Sequence, residues 1–292
     1  MLRIPTGATA RDWERISREW VEESGHQPPP GARVVNGCIL PSADVGPLPA
    51  PETAGPPPVL VLSGMHRSGT SLFGQYLMAS GFQLGETLIG PLPSNPYGHF
   101  EDLAFVELHE RALKRDPLHP ELTAAEREEA AQLVDLRRAA GRPWGWKDPR
   151  ASFFLSEWAA LIPEARFLLL FRDPLLVVDS MCRRKEQDLN TRAANSGALG
   201  SWIGYNRALL RFYRAHPERT LLLSVDRAVR DPEHTARALR ELAGWPFQAE
   251  VFRACYDRQI LQTQPLTPRP LSPRLRIQAH LLHHALLQAS PL

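Results

Sequence analysis

Val59-Leu60-Val61-Leu62-Ser63-Gly64-Met65-His66-Arg67-Ser68-Gly69-Thr70-Ser71 is the run on which the fold turns. Val59 to Ser63 is a near-continuous apolar stretch, as in a strand buried on both faces, and Gly64 ends it. From Thr70 to Ser80 the pattern becomes helical and stops at Gly81. Two further runs repeat this unit. Arg166 to Phe171 precedes Asp173, which suits a helix cap, and Pro174, which suits a first turn, in a helix reaching about Lys185. Thr220 to Val225 precedes a helix from about Pro232 to Leu242. The alternation predicts an α/β fold, a three-layer parallel sheet with helices on both faces. Thr123 and Glu126 form a capping box before a helix that stops at Gly141, and an apolar helix is expected around Leu275 to Leu287.

Outward from this core the chain divides into three parts. Between Pro41 and Pro58, seven of eighteen residues are proline, too many for a packed element, so residues 41–58 read as a linker. Residues 1–40 read as a small appendage, with Trp13, Ile16, Trp20 and Val21 at helical spacing and an Asn36-Gly37 hairpin signal. Residues 59–292 form the main domain, whose tail from Gln264 is again proline-rich.

Lysine plus arginine number 34 and aspartate plus glutamate 32, so the charge is +2 and bulk attraction to nucleic acid is not expected. Only Lys114, Lys147 and Lys185 are lysines, and arginine carries nearly all the positive charge. Cys38, Cys182 and Cys255 have no Cys-x-x-Cys spacing, which argues against a disulfide scaffold or zinc site and for a reducing compartment. The longest apolar run, Phe167 to Phe171, is too short to span a bilayer, and the first twenty residues lack the apolar centre of a secretion signal. A soluble, cytoplasmic chain is expected. His280, His283 and His284 have no carboxylate at ligand spacing, so no metal is expected. Oligomeric state has no signal in the sequence.

The turn Gly64 to Ser71 has the spacing of a triphosphate-binding loop, with Thr70 where such loops carry lysine. Inward backbone N–H groups from Met65, His66, Arg67, Ser68, Gly69, Thr70 and Ser71, with the positive end of the next helix, make an anion cradle. Without the lysine that meets β- and γ-phosphates, ATP cleavage is the weaker reading and another anion the stronger.

The segment His66 to Ser71 resembles the 5′ loop of the sulfotransferases, P-K-S-G-T-T, with Arg67 in the lysine place. Arg172 and Ser180, eight residues apart across a strand end and the following helix, are similar to that family's 3′-phosphate pair. The resemblance covers about 59–247. It implies a P-loop-like sulfotransferase fold and transfer of a sulfuryl group from 3′-phosphoadenosine 5′-phosphosulfate (PAPS) to a hydroxyl or amine. Acceptors would be small molecules, glycans or lipids, and no metal is implied. The competing readings are a kinase or NTPase with an atypical loop, and an inactive nucleotide-binding module.

Residue by residue, Arg67 is the candidate for the transferring group's oxygens. Lys147 occupies the lysine place of the family's K-T-H segment, while Pro149 stands where its histidine base would be. A base is therefore expected from the stretch after the loop, Glu101 first and His99 second, with Asp102 alongside. Lys147 could instead simply pair with Asp148, and Arg172 with Asp173 or Asp179. The insert from about Leu103 to Pro143 and the tail are expected to shape the acceptor pocket, with Tyr97, Phe100, Trp144, Trp146 and Trp202 as candidate apolar walls.

Overall fold

The computed structural model describes residues 31–41, 56–92, 95–184, 192–258, 260–261 and 270–291, together with Arg15 and Glu19. The expected N-terminal helix, most of the linker and the proline-rich part of the tail lie outside the described residues.

Four parallel strands form the main sheet: β3 (Val59–Gly64), β4 (Trp144–Lys147), β5 (Arg166–Phe171) and β6 (Thr220–Ser224), in the order β4-β3-β5-β6. The registers Val61↔Trp146, Val61↔Phe167 and Leu168↔Leu221 set the strand ends level, so the turns after β3 and β5 open at one edge. Alternation along each strand feeds two cores. Val59, Val61, Phe167, Leu169, Phe171 and Leu222 face one, and Leu60, Leu62, Leu168, Leu170, Leu221 and Leu223 face the other.

The first core is closed by α2 (Leu103–Arg115), α3 (Ala124–Ala139), α4 (Leu155–Leu161), α6 (Arg192–Ala215) and α10 (Pro273–Ala289). There the Phe105 ring stacks on Trp146 with centroids 4.4 Å apart, a geometry that contributes about 0.5–1.5 kcal/mol beyond burial. The second core lies under α1 (Thr70–Ala79), α8 (Pro232–Ala243) and α9 (Ala249–Cys255). The first core also takes Val177, Val178 and Cys182 from α5 (Pro174–Arg184), after β5, and the second takes Val225 and Ala228 from the single turn α7 (Val225–Ala228), after β6.

Local chemistry accounts for the boundaries. The Thr123/Glu126 capping box is formed in both directions, and Gly141, at φ 61°, follows the last turn of α3. Asp102, Asp173 and Asp231 accept N–H groups at the starts of α2, α5 and α8. The hairpin β1 (Arg33–Val35) and β2 (Cys38–Leu40) turns at Asn36 and Gly37, with φ 49° and 77°, the left-handed pair that tight hairpins need. Its second strand is wholly buried, with Cys38 and Leu40 in the second core. Ile39 donates to the Tyr97 carbonyl at 2.9 Å and accepts from Gln75 Nε2 at 2.8 Å.

Strand β4 is an addition to the sequence reading. A Cβ at Gly145 would lie 1.9 Å from the Leu60 carbonyl oxygen, so close pairing of β3 and β4 requires glycine.

Candidate active site

The turn between β3 and α1 is built around two glycines. Gly64, at φ 152°, brings its backbone so near β5 that a Cβ would sit 2.3 Å from the Leu170 carbonyl oxygen. Gly69, at φ 81°, is the N-terminal flank of α1 and has no capping side chain of its own. The donors of the first turn therefore face the open side of the loop. Arg67 is held at φ 70°, a left-handed conformation that costs a non-glycine residue about 1–3 kcal/mol and here turns its side chain across the loop.

That side chain reaches the second element. Arg67 Nε donates to Ser180 Oγ at 2.9 Å, and Arg172 Nη1 donates to the Arg67 carbonyl at 3.3 Å. Arg172 is 3% exposed and pairs through Nε with Asp226 at 3.3 Å. The partner the sequence suggested was Asp173 or Asp179. Instead Asp226 also accepts the Asp173 backbone N–H, and Asp179 pairs with Arg183. Arg67, Gly69, Thr70, Ser71, Arg172 and Ser180 line one cleft. Leu72, Tyr256, Ile260 and Leu261 add apolar lining, and Asn95, Tyr97 and Phe100 also border it. Tyr97 donates to Asp257 at 2.9 Å, and burial with this bond pushes its phenol up to about 12.

Behind the loop the buried charges are paired. Lys147, 1% exposed, donates to Glu101 Oε1 at 2.6 Å, to the His99 carbonyl at 2.8 Å and to Ser71 Oγ at 3.4 Å. Its partner is thus Glu101, and Asp148 is matched instead with Arg150 and His109. Glu101, 3% exposed, also receives Arg150 Nη1 at 3.1 Å. Burial pushes its carboxyl up, but Lys147 and Arg150 together outweigh that and hold it well below the usual carboxylate range. A carboxylate with both oxygens engaged by cations is a weak proton acceptor. His99 is half-buried, with Nδ1 3.2 Å from the Gly90 carbonyl. Burial lowers the half-buried His66 imidazole to about 4, so it is neutral at pH 7, and its ring meets Tyr205 edge-on.

Two expectations about walls need correcting. Trp144, Trp146 and Trp202 are core residues, at most 2% exposed, while Tyr97 and Phe100 do face the cleft. Residues 103–143 pack over the first core and supply none of the described lining. Sequence reasoning missed Asp226, whose signal is only an acidic residue just past a strand end. It also missed Asn95, which donates to Ser71 Oγ at 2.6 Å. Among the described residues, no three His, Cys, Asp or Glu side chains cluster as a metal site, and no helix is long and apolar enough to cross a membrane.

The sequence profile of the sulfotransferase family matches residues 58–249, the stretch that carries the glycine loop, Arg172 and Ser180. The chain belongs to the sulfotransferase family. Solved structures share the fold across large distances in sequence. The sulfotransferase domain of the Synechococcus PCC 7002 olefin synthase is 19% identical, with a TM-score of 0.50 over 82% of this chain and 98% of that one. The sulfotransferase domain from the curacin biosynthetic pathway is 18% identical, with a TM-score of 0.51 over 79% and 99%. Sulfotransferase STF9 from Mycobacterium avium is 14% identical, with a TM-score of 0.53 over 97% and 83%. No curated protein sequence gives a significant match.

Proposed function

We propose that this sulfotransferase moves a sulfuryl group from PAPS to a hydroxyl or amine by in-line displacement. The supporting observation is the joining of two anion sockets in one cleft, through the bonds from Arg67 to Ser180 and from Arg172 to the Arg67 carbonyl. ATP has no 3′-phosphate to occupy the second socket. The loop N–H groups and the start of α1 suit the 5′-phosphate, and the Arg172 fork with Ser180 suits the 3′-phosphate. Leu72, Tyr256, Ile260 and Leu261 offer an apolar wall to adenine. The buried Ser68 hydroxyl has no hydrogen-bond partner among the described residues, as expected of a donor kept for a ligand oxygen.

PAPS supplies the sulfuryl group, and its bridging oxygen leaves with the phosphate. In this reading Arg67 and Lys147 are the cations that meet charge on the sulfuryl and bridging oxygens. Glu101 keeps Lys147 in place, and His99 takes the acceptor's proton. The acceptor is a small molecule, glycan or lipid. A sulfuryl group carries less charge than a terminal phosphate, so magnesium is not required and EDTA should leave the rate unchanged.

Thermal melting with nucleotides tests the donor. At one hundred times its Kd, 3′,5′-ADP should stabilise the chain by about 2.7 kcal/mol, on the order of 5 °C, without magnesium and well beyond the effect of ADP. Stabilisation by magnesium-ATP but not by 3′,5′-ADP would overturn the reading.

A further inference from the structure

A chain of buried polar side chains runs away from Lys147 into the first core. It begins at His109, which is fully buried and stacked on Phe154. Trp158 Nε1 can only donate, and it lies 2.8 Å from His109 Nε2, so the proton sits on Nδ1. Nδ1 donates to Asp148 Oδ2 at 2.7 Å. The other oxygen, Asp148 Oδ1, accepts both the backbone N–H and the Nη1 of Arg150 at 2.9 Å. Arg150 Nη1 reaches Glu101 Oε2 at 3.1 Å, and Nη2 reaches Glu110 Oε1 at 3.1 Å. Glu101 Oε1 then receives the Lys147 ammonium.

Lys147, Glu101, Arg150 and Asp148 carry two positive and two negative charges, so this inner part of the chain is balanced, each charge has an opposite neighbour, and Glu110 adds a half-exposed carboxylate at its edge. Filling this volume with apolar groups would have avoided desolvating four charges. What the charged chain adds is a fixed position for its last member. The ammonium has three hydrogens and three acceptors: Glu101, the His99 carbonyl and Ser71 Oγ. The longest of those contacts, 3.4 Å to Ser71, lies at the phosphate loop and is the one a donor oxygen can replace.

The geometry points to Arg150, Asp148 and His109 as positioning residues, which hold the Lys147 ammonium at the sulfuryl end of the donor through Glu101 without touching the donor themselves. This inference rests on the proposed sulfuryl transfer.

The full chain, labelled with 15N-lysine, allows a test that needs no donor. The chain has only three lysines, and the Lys114 side chain is 74% exposed, so its ammonium protons exchange rapidly. Lys147 should give a persistent ammonium cross-peak, assigned by its loss in Lys147→Arg. Asp148→Asn and Arg150→Gln should each shift or broaden that peak. In single turnover, both should slow release of label from 35S-PAPS at least tenfold and leave the 3′,5′-ADP melting shift within a degree of wild type. Asp148→Asn added to Lys147→Ala should cost less than a further twofold, because the positioned group is already gone. Should Asp148→Asn fail to fold, Arg150→Gln carries the test, since it loses the fork and adds no labelled lysine. An unmoved ammonium peak in the folded variants, or losses that multiply with Lys147→Ala, would overturn the positioning role. A wild type that ignores 3′,5′-ADP defeats the donor assignment instead, and the ammonium readout still decides the positioning.

Discussion

Replacing Glu101 with glutamine keeps the side chain's shape and removes its charge. Lys147 then loses its 2.6 Å anion, and Arg150 loses one of its partners, at a site where Glu101 is only 3% exposed. Leaving a buried charge unpaired costs about 3–5 kcal/mol, a large part of the roughly 5–15 kcal/mol that holds a typical protein folded. At a urea slope of about 3 kcal/mol per molar, the midpoint should fall by about 1–2 M. Tryptophan fluorescence can follow the transition, since Trp146 and Trp158 lie buried near the site. The effect also has a pH sign. A carboxyl held below its ordinary value stabilises the fold above the unfolded pKa of about 4.3, and that contribution is lost as pH falls through the folded pKa. The gap between wild type and variant should therefore be full at pH 7 and shrink in acid below about pH 4. Glu129→Gln, which breaks a half-exposed pair with Arg111, is the control and should cost no more than about 1 kcal/mol. A Glu101→Gln midpoint within about 0.3 M of wild type at pH 7, or a gap unchanged in acid, would refute the pairing argument.

Arg172→Lys keeps the charge but loses the planar fork and the bond to the Arg67 carbonyl. It should weaken 3′,5′-ADP at least tenfold by calorimetry, on the order of 1.4 kcal/mol, and an unchanged affinity would remove Arg172 from the 3′ socket. Gly69→Ala places a Cβ 2.8 Å from Val225 Cγ1 and forces an L side chain to φ 81°. A loss of about 1–2 kcal/mol in denaturant titrations, with weakened nucleotide binding, is expected, and wild-type behaviour in both would show that the loop tolerates a side chain there.

Strands β3, β5 and β6 were legible because each is an unbroken apolar run with a turn signal at its end, the pattern of a strand buried on both faces. Strand β4 was not, because Trp144-Gly145-Trp146-Lys147 places glycine at its centre and a charge at its end. Only the approach of Leu60 explains the glycine, and only Glu101 explains the lysine. The long helix α6 also went unread, although Leu199, Trp202, Ile203, Leu209, Leu210 and Phe212 recur at helical spacing on its buried face. At the site, glycine spacing and the eight-residue interval from Arg172 to Ser180 are local signals, and local signals survive in a single sequence. The partners of the charged groups are long-range choices. Nothing near Arg172 in the chain favours Asp226 over Asp173, and nothing near Lys147 favours Glu101 over Asp148. Strand order and the turn into α2 make those choices.

The stretch that marks the chain as a sulfotransferase is smaller than the unit that folds. Residues 58–249 exclude the hairpin strand whose Cys38, Ile39 and Leu40 are almost inaccessible to solvent, and the C-terminal helix whose Ala279 and Leu286 enter the first core. A fragment trimmed to the recognisable boundaries would uncover oily surface on both layers and strip the Gln75 amide of its acceptor. Anyone cutting the gene for expression should begin upstream of Arg33 and keep everything through the last helix.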